Sequence, residues 1–126
     1  MPRIYLDNAA TSFPKPAAVY AAVDDFNRRL GAAAGRGGYR EAVEVDAILR
    51  RCRKRAAELL GAESSERVVF TFNATDGLNL ALHGLLAPGD HVVTTQIEHN
   101  SVLRPLRELE ARRGIRISVV AADEQG

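Results

Sequence analysis

The chain is short of several features, and each shortage excludes a class of protein. It has one cysteine, Cys52, in 126 residues, so no intrachain disulfide can form. No apolar run is long enough to cross a bilayer. Lys and Arg number 17 against 16 Asp and Glu, so no charge excess indicates nucleic acid or a membrane as a partner. The N-terminus lacks the apolar stretch of a signal peptide, and we therefore expect a cytoplasmic protein.

The first half of the chain reads as two helices joined by a loop. Apolar residues at helical spacing predict a helix over residues 16–30 and another over residues 41–60, each followed by a glycine, Gly31 and Gly61. The glycine-rich residues 31–38 predict a loop between them. Cys52 falls on the apolar stripe of the second helix, which favours a core cysteine over a nucleophile.

The second half alternates strand and helix. We expect strands over residues 68–72, 91–95 and 115–120, a helix over residues 76–86 and another that ends near residue 113. Pro105 would be tolerated only in the first turn of that last helix. Such alternation predicts an α/β unit with parallel strands. Because residues 123–126 look like a turn into another element, the 126 residues read as a single incomplete unit, the front of a larger fold.

A segment that could hold a phosphate follows the first of these strands. It runs from Asn73 to Asn79 and opens a helix, whose first N–H groups have no partner within the helix and favour an anion. Ala74 is small enough to let the backbone approach a phosphate, and Thr75 offers an N–H and a hydroxyl. Asp76 fits better as a cap than as a ligand. A capped helix without a ligand explains the segment equally well.

A histidine, His99, follows the next strand at the same edge of the predicted sheet. Its flat imidazole could stack on an aromatic ligand and move protons, although a surface histidine in a loop is the alternative. The other two histidines, His83 and His91, are separated from it by this topology, so we expect no metal site. Arg36 or Arg40, in and beside the glycine loop, could bind a carboxylate, or the loop could simply be mobile surface.

These segments together match one known family. Tyr5-Leu6-Asp7-Asn8-Ala9-Ala10-Thr11, Gly35-Arg36-Gly37-Gly38-Tyr39, residues 70–79 and residues 89–101 occur in the order and at the spacing of that family. The chain resembles the N-terminal part of class V aminotransferase-fold enzymes, in particular the cysteine desulfurase and selenocysteine lyase group. Asp76 is a small departure, because most members have Glu there.

The resemblance implies a fold-type I transferase dependent on pyridoxal 5'-phosphate, with a mostly parallel sheet and flanking helices, homodimeric when complete. Residues 1–61 would form an N-terminal arm and helices, and residues 62–126 the start of the large cofactor-binding domain. Ala74 and Thr75 would bind the cofactor phosphate. His99 would stack on the pyridine ring and act as the catalytic proton shuttle. Residues 8–11 and the glycine loop would line the substrate entrance.

The resemblance also implies an activity that these residues alone could not perform. The complete enzyme would remove sulfur from L-cysteine, leaving alanine and an enzyme persulfide, and could pass the sulfur to an acceptor protein. The family's Schiff-base lysine lies downstream, and the two lysines here, Lys15 and Lys54, follow no strand of the ligand edge. We therefore expect the chain alone to be inactive. A selenocysteine lyase, another class V aminotransferase, or a noncatalytic assembly module are the alternatives.

Overall fold

The computed structural model describes residues 3–123. They form two compact units, the first ending at Val68 and the second beginning at Val69. No helix in the described part of the chain is long and apolar enough to cross a membrane. The expected division into an arm with helices and the start of a large domain stays a prediction.

The first unit contains the two helices expected from the periodicity. Helix α1 spans Ala17–Asp25 and continues as a π-helical turn over Phe26–Leu30, and helix α2 spans Arg40–Leu60. A 3-10 turn follows at Ser65–Arg67. Both α1 with its π-helical turn and α2 end at a glycine with a positive φ, a conformation that suits glycine at a helix C-terminus.

An arginine joins the two helical segments of this unit. The Arg29 guanidinium lies 3.3 Å from the Asp25 carboxylate and 2.7 Å from that of Glu44 on α2. Hydrogen bonds to Asp25 and Glu44, together with the attraction of the two carboxylates, raise the pKa of Arg29 above its ordinary value. The side chains of these ion pairs are largely solvent-exposed, so the pairs contribute little to stability.

The prediction that Cys52 is a core residue is wrong, because its thiol is exposed. The buried residues of α2 are Ala42, Val45 and Ala57, whereas Leu59, near the end of the same helix, is 86% exposed. Of the helical elements described in the first unit, the π-helical turn and the 3-10 turn pack against α2. Helical periodicity marks which face is apolar, whereas burial requires an element to cover it.

The second unit has two helices packed beside a small parallel sheet. Helix α3 spans Ala74–Leu85, strand β1 His91–Thr95, helix α4 Asn100–Arg113 and strand β2 Arg116–Val120. The two strands pair in parallel over their full length, with His91 opposite Arg116 and Thr95 opposite Val120. The core is formed by Leu106, Leu109 and Ile115, against which five partly buried side chains pack: Leu82, Leu86, Val92, Val102 and Ile117.

The expected strand over residues 68–72 is not formed. The backbone is extended at Val68 and Asn73, but the sheet of the described residues contains only β1 and β2. Val69 is 66% and Phe72 98% exposed, as expected for an extended segment without a neighbouring strand. The β-branched and aromatic residues favour extended backbone, but a strand also needs a partner for its main-chain groups.

The prediction that Pro105 would be tolerated only in a first helical turn is also wrong. Helix α4 begins at Asn100, so Pro105 lies in its second turn and cannot donate to the Ser101 carbonyl four residues earlier. Its ring is buried, as is the side chain of the next residue, Leu106. The burial of this apolar surface offsets part of the free energy lost with the hydrogen bond.

Candidate functional site

The N-terminus of α3 is held by two hydrogen bonds between side chains and the main chain. The Asn73 Oδ1 atom accepts a hydrogen bond from the Asp76 N–H at 2.8 Å, and the Asp76 carboxylate accepts one from the Phe72 N–H at 3.3 Å. This arrangement is close to a capping box. Asp76 therefore caps the helix, as its position in the sequence predicted. Gly77 permits a close approach here, because a Cβ would lie 3.2 Å from the Thr71 hydroxyl.

The cap leaves several donors of this terminus without an acceptor. No residue in the range 3–123 accepts a hydrogen bond from the N–H groups of Ala74 and Thr75 or from the Thr75 hydroxyl. The Thr75 carbonyl, in contrast, accepts a hydrogen bond from the Asn79 amide at 2.8 Å. The first turn of α3 thus combines a braced backbone with free donors and the positive end of the helix dipole.

His99 is the N-cap residue of α4, as Asn73 is of α3. Its Nδ1 atom accepts a hydrogen bond from the Ser101 N–H at 3.1 Å and lies 2.8 Å from the Ser101 hydroxyl. The His99 N–H in turn donates to the Glu98 carboxylate at 3.2 Å. The imidazole is therefore held by its own helix at one nitrogen.

Thr75 and His99 line the same cleft. The cleft has a volume of about 380 Å³ and lies between the start of α3 and the first turns of α4. Its other lining residues are Asn79, Asn100, Ser101, Arg104, Pro105 and Glu108. Ala74 precedes Thr75 but does not line the cleft. The structure thus brings together two of the three residues predicted to bind the cofactor, and their roles stay predictions.

The cleft is also lined by Arg104, which was not among the predicted site residues. Arg104 makes no ion pair with any residue of the described part of the chain, because Glu108, four residues later, pairs instead with Arg112 at 3.2 Å. Its positive charge adds to that of the α3 dipole. Residue spacing does not predict this, because five residues are about 1.4 helical turns and would place positions 99 and 104 on different sides of a helix.

The other two histidines and the two lysines do not line this cleft. His91 Nε2 lies 2.8 Å from the Ser118 hydroxyl across the sheet, and His83 belongs to α3 near its C-terminus. Within residues 3–123 no group of three or more metal-ligating side chains comes together. The two lysines belong to the first unit: Lys15 Nζ donates to the Ser12 carbonyl, and Lys54 lies 4.0 Å from the Glu58 carboxylate.

Comparison with known proteins identifies the family. The model of the aminotransferase class-V family matches residues 4–126. The chain belongs to this family. It is 34% identical to a probable cysteine desulfurase of Synechocystis sp. over 98% of its own length and 30% of that protein's length. It is 36% identical to a probable cysteine desulfurase of Pyrococcus abyssi, over 98% and 31% of the respective lengths.

Solved structures agree with the sequence comparison. The apo structure of a cysteine desulfurase from Thermococcus onnurineus matches with a TM-score of 0.84 and 34% identity, over 98% of this chain and 31% of that one. A cysteine desulfurase from Escherichia coli matches with a TM-score of 0.72 and 28% identity, over 96% and 31%. The resemblance and the α/β fold class predicted from the sequence are confirmed. The chain spans about a third of the length of these relatives.

Proposed function

We propose that the chain is the N-terminal part of a cysteine desulfurase-like enzyme that uses pyridoxal 5'-phosphate. The observation that carries the proposal is the cleft shared by Thr75 and His99, in a chain whose relatives are cysteine desulfurases. The complete enzyme would be cytoplasmic and homodimeric. It would take L-cysteine and a protein thiol, and release alanine as the sulfur forms a persulfide on that thiol.

The first turn of α3 fits the phosphate of this cofactor. Its free donors are the N–H groups of Ala74 and Thr75 and the Thr75 hydroxyl, and all three can donate to phosphate oxygens. The Asn73–Asp76 cap braces these groups without occupying them. Arg104 in the cleft adds a positive charge that favours an anion.

His99 would cover the cofactor ring. Because its Nδ1 atom is engaged by Ser101, the imidazole has a fixed attachment and leaves Nε2 available to hold or move a proton. When bound, the cofactor supplies an electron sink that weakens bonds at the substrate amino acid. The chain's own contribution is to hold the phosphate, cover the ring and keep a proton at His99 Nε2.

These 126 residues would not turn over substrate by themselves. Their lysines, Lys15 and Lys54, are both held by side-chain or main-chain contacts within the first unit, and no lysine lines the described cleft. In this family a lysine attaches the cofactor covalently. We therefore propose that the covalent chemistry depends on residues outside the matched third of the relatives.

The test compares the chain with a version extended by the coding sequence that follows Gly126. Both are given pyridoxal phosphate and L-cysteine, and alanine and sulfide are measured in the presence of a thiol reductant. We expect the extended version to form alanine and release sulfide in equal amounts, and the chain alone to form neither. Substitution of His99 by alanine in the extended version should lower kcat by about 100-fold or more, as for loss of a general acid–base group.

Other outcomes would assign a different function. If the extended version acts on selenocysteine but not on cysteine, or only exchanges amino groups, the substrate is wrong and the cofactor site stands. If it neither binds pyridoxal phosphate nor consumes any amino acid, the chain is a noncatalytic module and the proposal fails.

A further inference from the structure

The imidazole of His99 makes two contacts with a single residue through one nitrogen. The Ser101 N–H donates to Nδ1 at 3.1 Å, and the Ser101 hydroxyl lies 2.8 Å from the same atom. No residue in the described part of the chain hydrogen-bonds to Nε2. The two nitrogens of the ring are therefore in different surroundings.

The main-chain contact decides which nitrogen can carry the proton. An amide N–H can only donate, so Nδ1 must present a lone pair to it. The Ser101 hydroxyl, 2.8 Å from that unprotonated nitrogen, can hydrogen-bond to it only as a donor, and it then shares the single lone pair of Nδ1 with the N–H. A neutral imidazole held in this way carries its proton on Nε2.

We propose that Ser101 is a positioning residue that fixes the tautomer of His99. Its N–H sets the ring at the N-terminus of α4, and its hydroxyl strengthens the preference for a proton on Nε2. This inference rests on the proposed function for its purpose, since an Nε2–H is then the proton that His99 offers to a ligand in the cleft. The tautomer itself is a property of the chain without a cofactor.

The tautomer can be measured by NMR on the chain with histidine labelled by ¹⁵N, at a pH at which the ring is neutral. The two ring nitrogens give separate resonances when one is protonated and the other is not, and a His99→Gln variant identifies those of His99. We expect Nε2 to be the protonated nitrogen. In Ser101→Ala, the ratio of the Nδ1–H to the Nε2–H tautomer should rise about fivefold, the change that one ordinary hydrogen bond produces.

Two variants control this experiment. Ser101→Thr keeps the hydroxyl and should keep the wild-type ratio. Ser118→Ala removes a hydroxyl that lies 2.8 Å from another imidazole, that of His91, and should change the His91 resonances but leave those of His99 in place. Native resonances of His83 and His91 in Ser101→Ala show that the variant is folded.

Two results would overturn the inference. The first is a protonated Nδ1 on His99 in the wild-type chain, which needs no variant to be seen. The second is a folded Ser101→Ala whose tautomer ratio equals that of the wild type. Because the measurement contains no pyridoxal phosphate, its failure is separate from a failure of the proposed function, which would appear as missing cofactor binding.

Discussion

Removal of the Asn73 side chain should loosen the turn that presents Thr75 to the cleft. In Asn73→Ala the hydrogen bond from the Asp76 N–H to Oδ1, 2.8 Å long, is lost. Loss of an N-cap of this kind costs about 1 kcal/mol. The position is exposed, so water replaces part of the lost bond, and the Asp76 carboxylate can still accept from Phe72. We therefore expect Asn73→Ala to lower the free energy of unfolding by about 1 kcal/mol and not more.

The assay is urea unfolding of the chain, followed by far-ultraviolet circular dichroism. With a denaturant slope of about 2 kcal/mol per molar urea, the midpoint of Asn73→Ala should fall by about 0.5 M. Asn73→Asp keeps an acceptor and adds a negative charge at the positive end of α3, so its midpoint should equal or exceed that of the wild type. An unchanged midpoint in Asn73→Ala, or an equal loss in both variants, would refute this account of the cap.

Two further predictions concern the packing of the second unit. Leu109→Ala should lower the free energy of unfolding by about 2–5 kcal/mol because Leu109 is fully buried, whereas Leu85→Ala, at 80% exposure, should change it by less than about 0.5 kcal/mol; equal losses in urea unfolding would contradict the assigned core. Arg113→Met should cost about 1 kcal/mol because Arg113 donates to the carbonyls of His83 and Leu86 at the end of α3. Arg112→Met is the control, because it removes only an exposed ion pair. If thermal unfolding shows a larger loss for Arg112→Met than for Arg113→Met, the hydrogen bonds of Arg113 do not stabilise the unit.

The local features of the fold could be predicted from the sequence because they depend on neighbouring residues. Gly31, Gly61 and Gly114 each follow a helix and each has a positive φ. Strand β1 begins at His91 and ends at Thr95 as expected. In each case a glycine, a turn or an apolar repeat determines the boundary without help from distant residues.

The features that were predicted wrongly depend on contacts at a distance. Residues 68–72 have strand propensity, but no described strand pairs with them. Cys52 lies on the apolar side of α2, but it is exposed, because the described residues of the first unit do not bury this part of the helix. Pro105 lies in the second turn of α4, where it is buried against the rest of the second unit. Local sequence does not contain the information that decides these cases.

In the candidate site, too, some features depend on neighbouring residues and others on distant contacts. Ala74, Thr75 and His99 could be chosen from the sequence because they follow apolar segments at the ends where ligands bind in α/β proteins. The contacts of Ser101 with the imidazole, and the place of Arg104 in the cleft, are seen only in the folded structure. Rotamers and competing ion pairs decide such contacts, and residue spacing alone does not give them.

The central claim is that the first turn of α3 holds the cofactor phosphate, and one measurement tests it most directly. It is the dissociation constant of pyridoxal phosphate for the extended version of the protein, compared between wild type, Thr75→Val and Thr75→Ser. Loss of a hydroxyl that donates to a charged phosphate should weaken binding about 10- to 100-fold in Thr75→Val, and Thr75→Ser should bind nearly as the wild type does. Equal affinity in all three proteins would contradict the account.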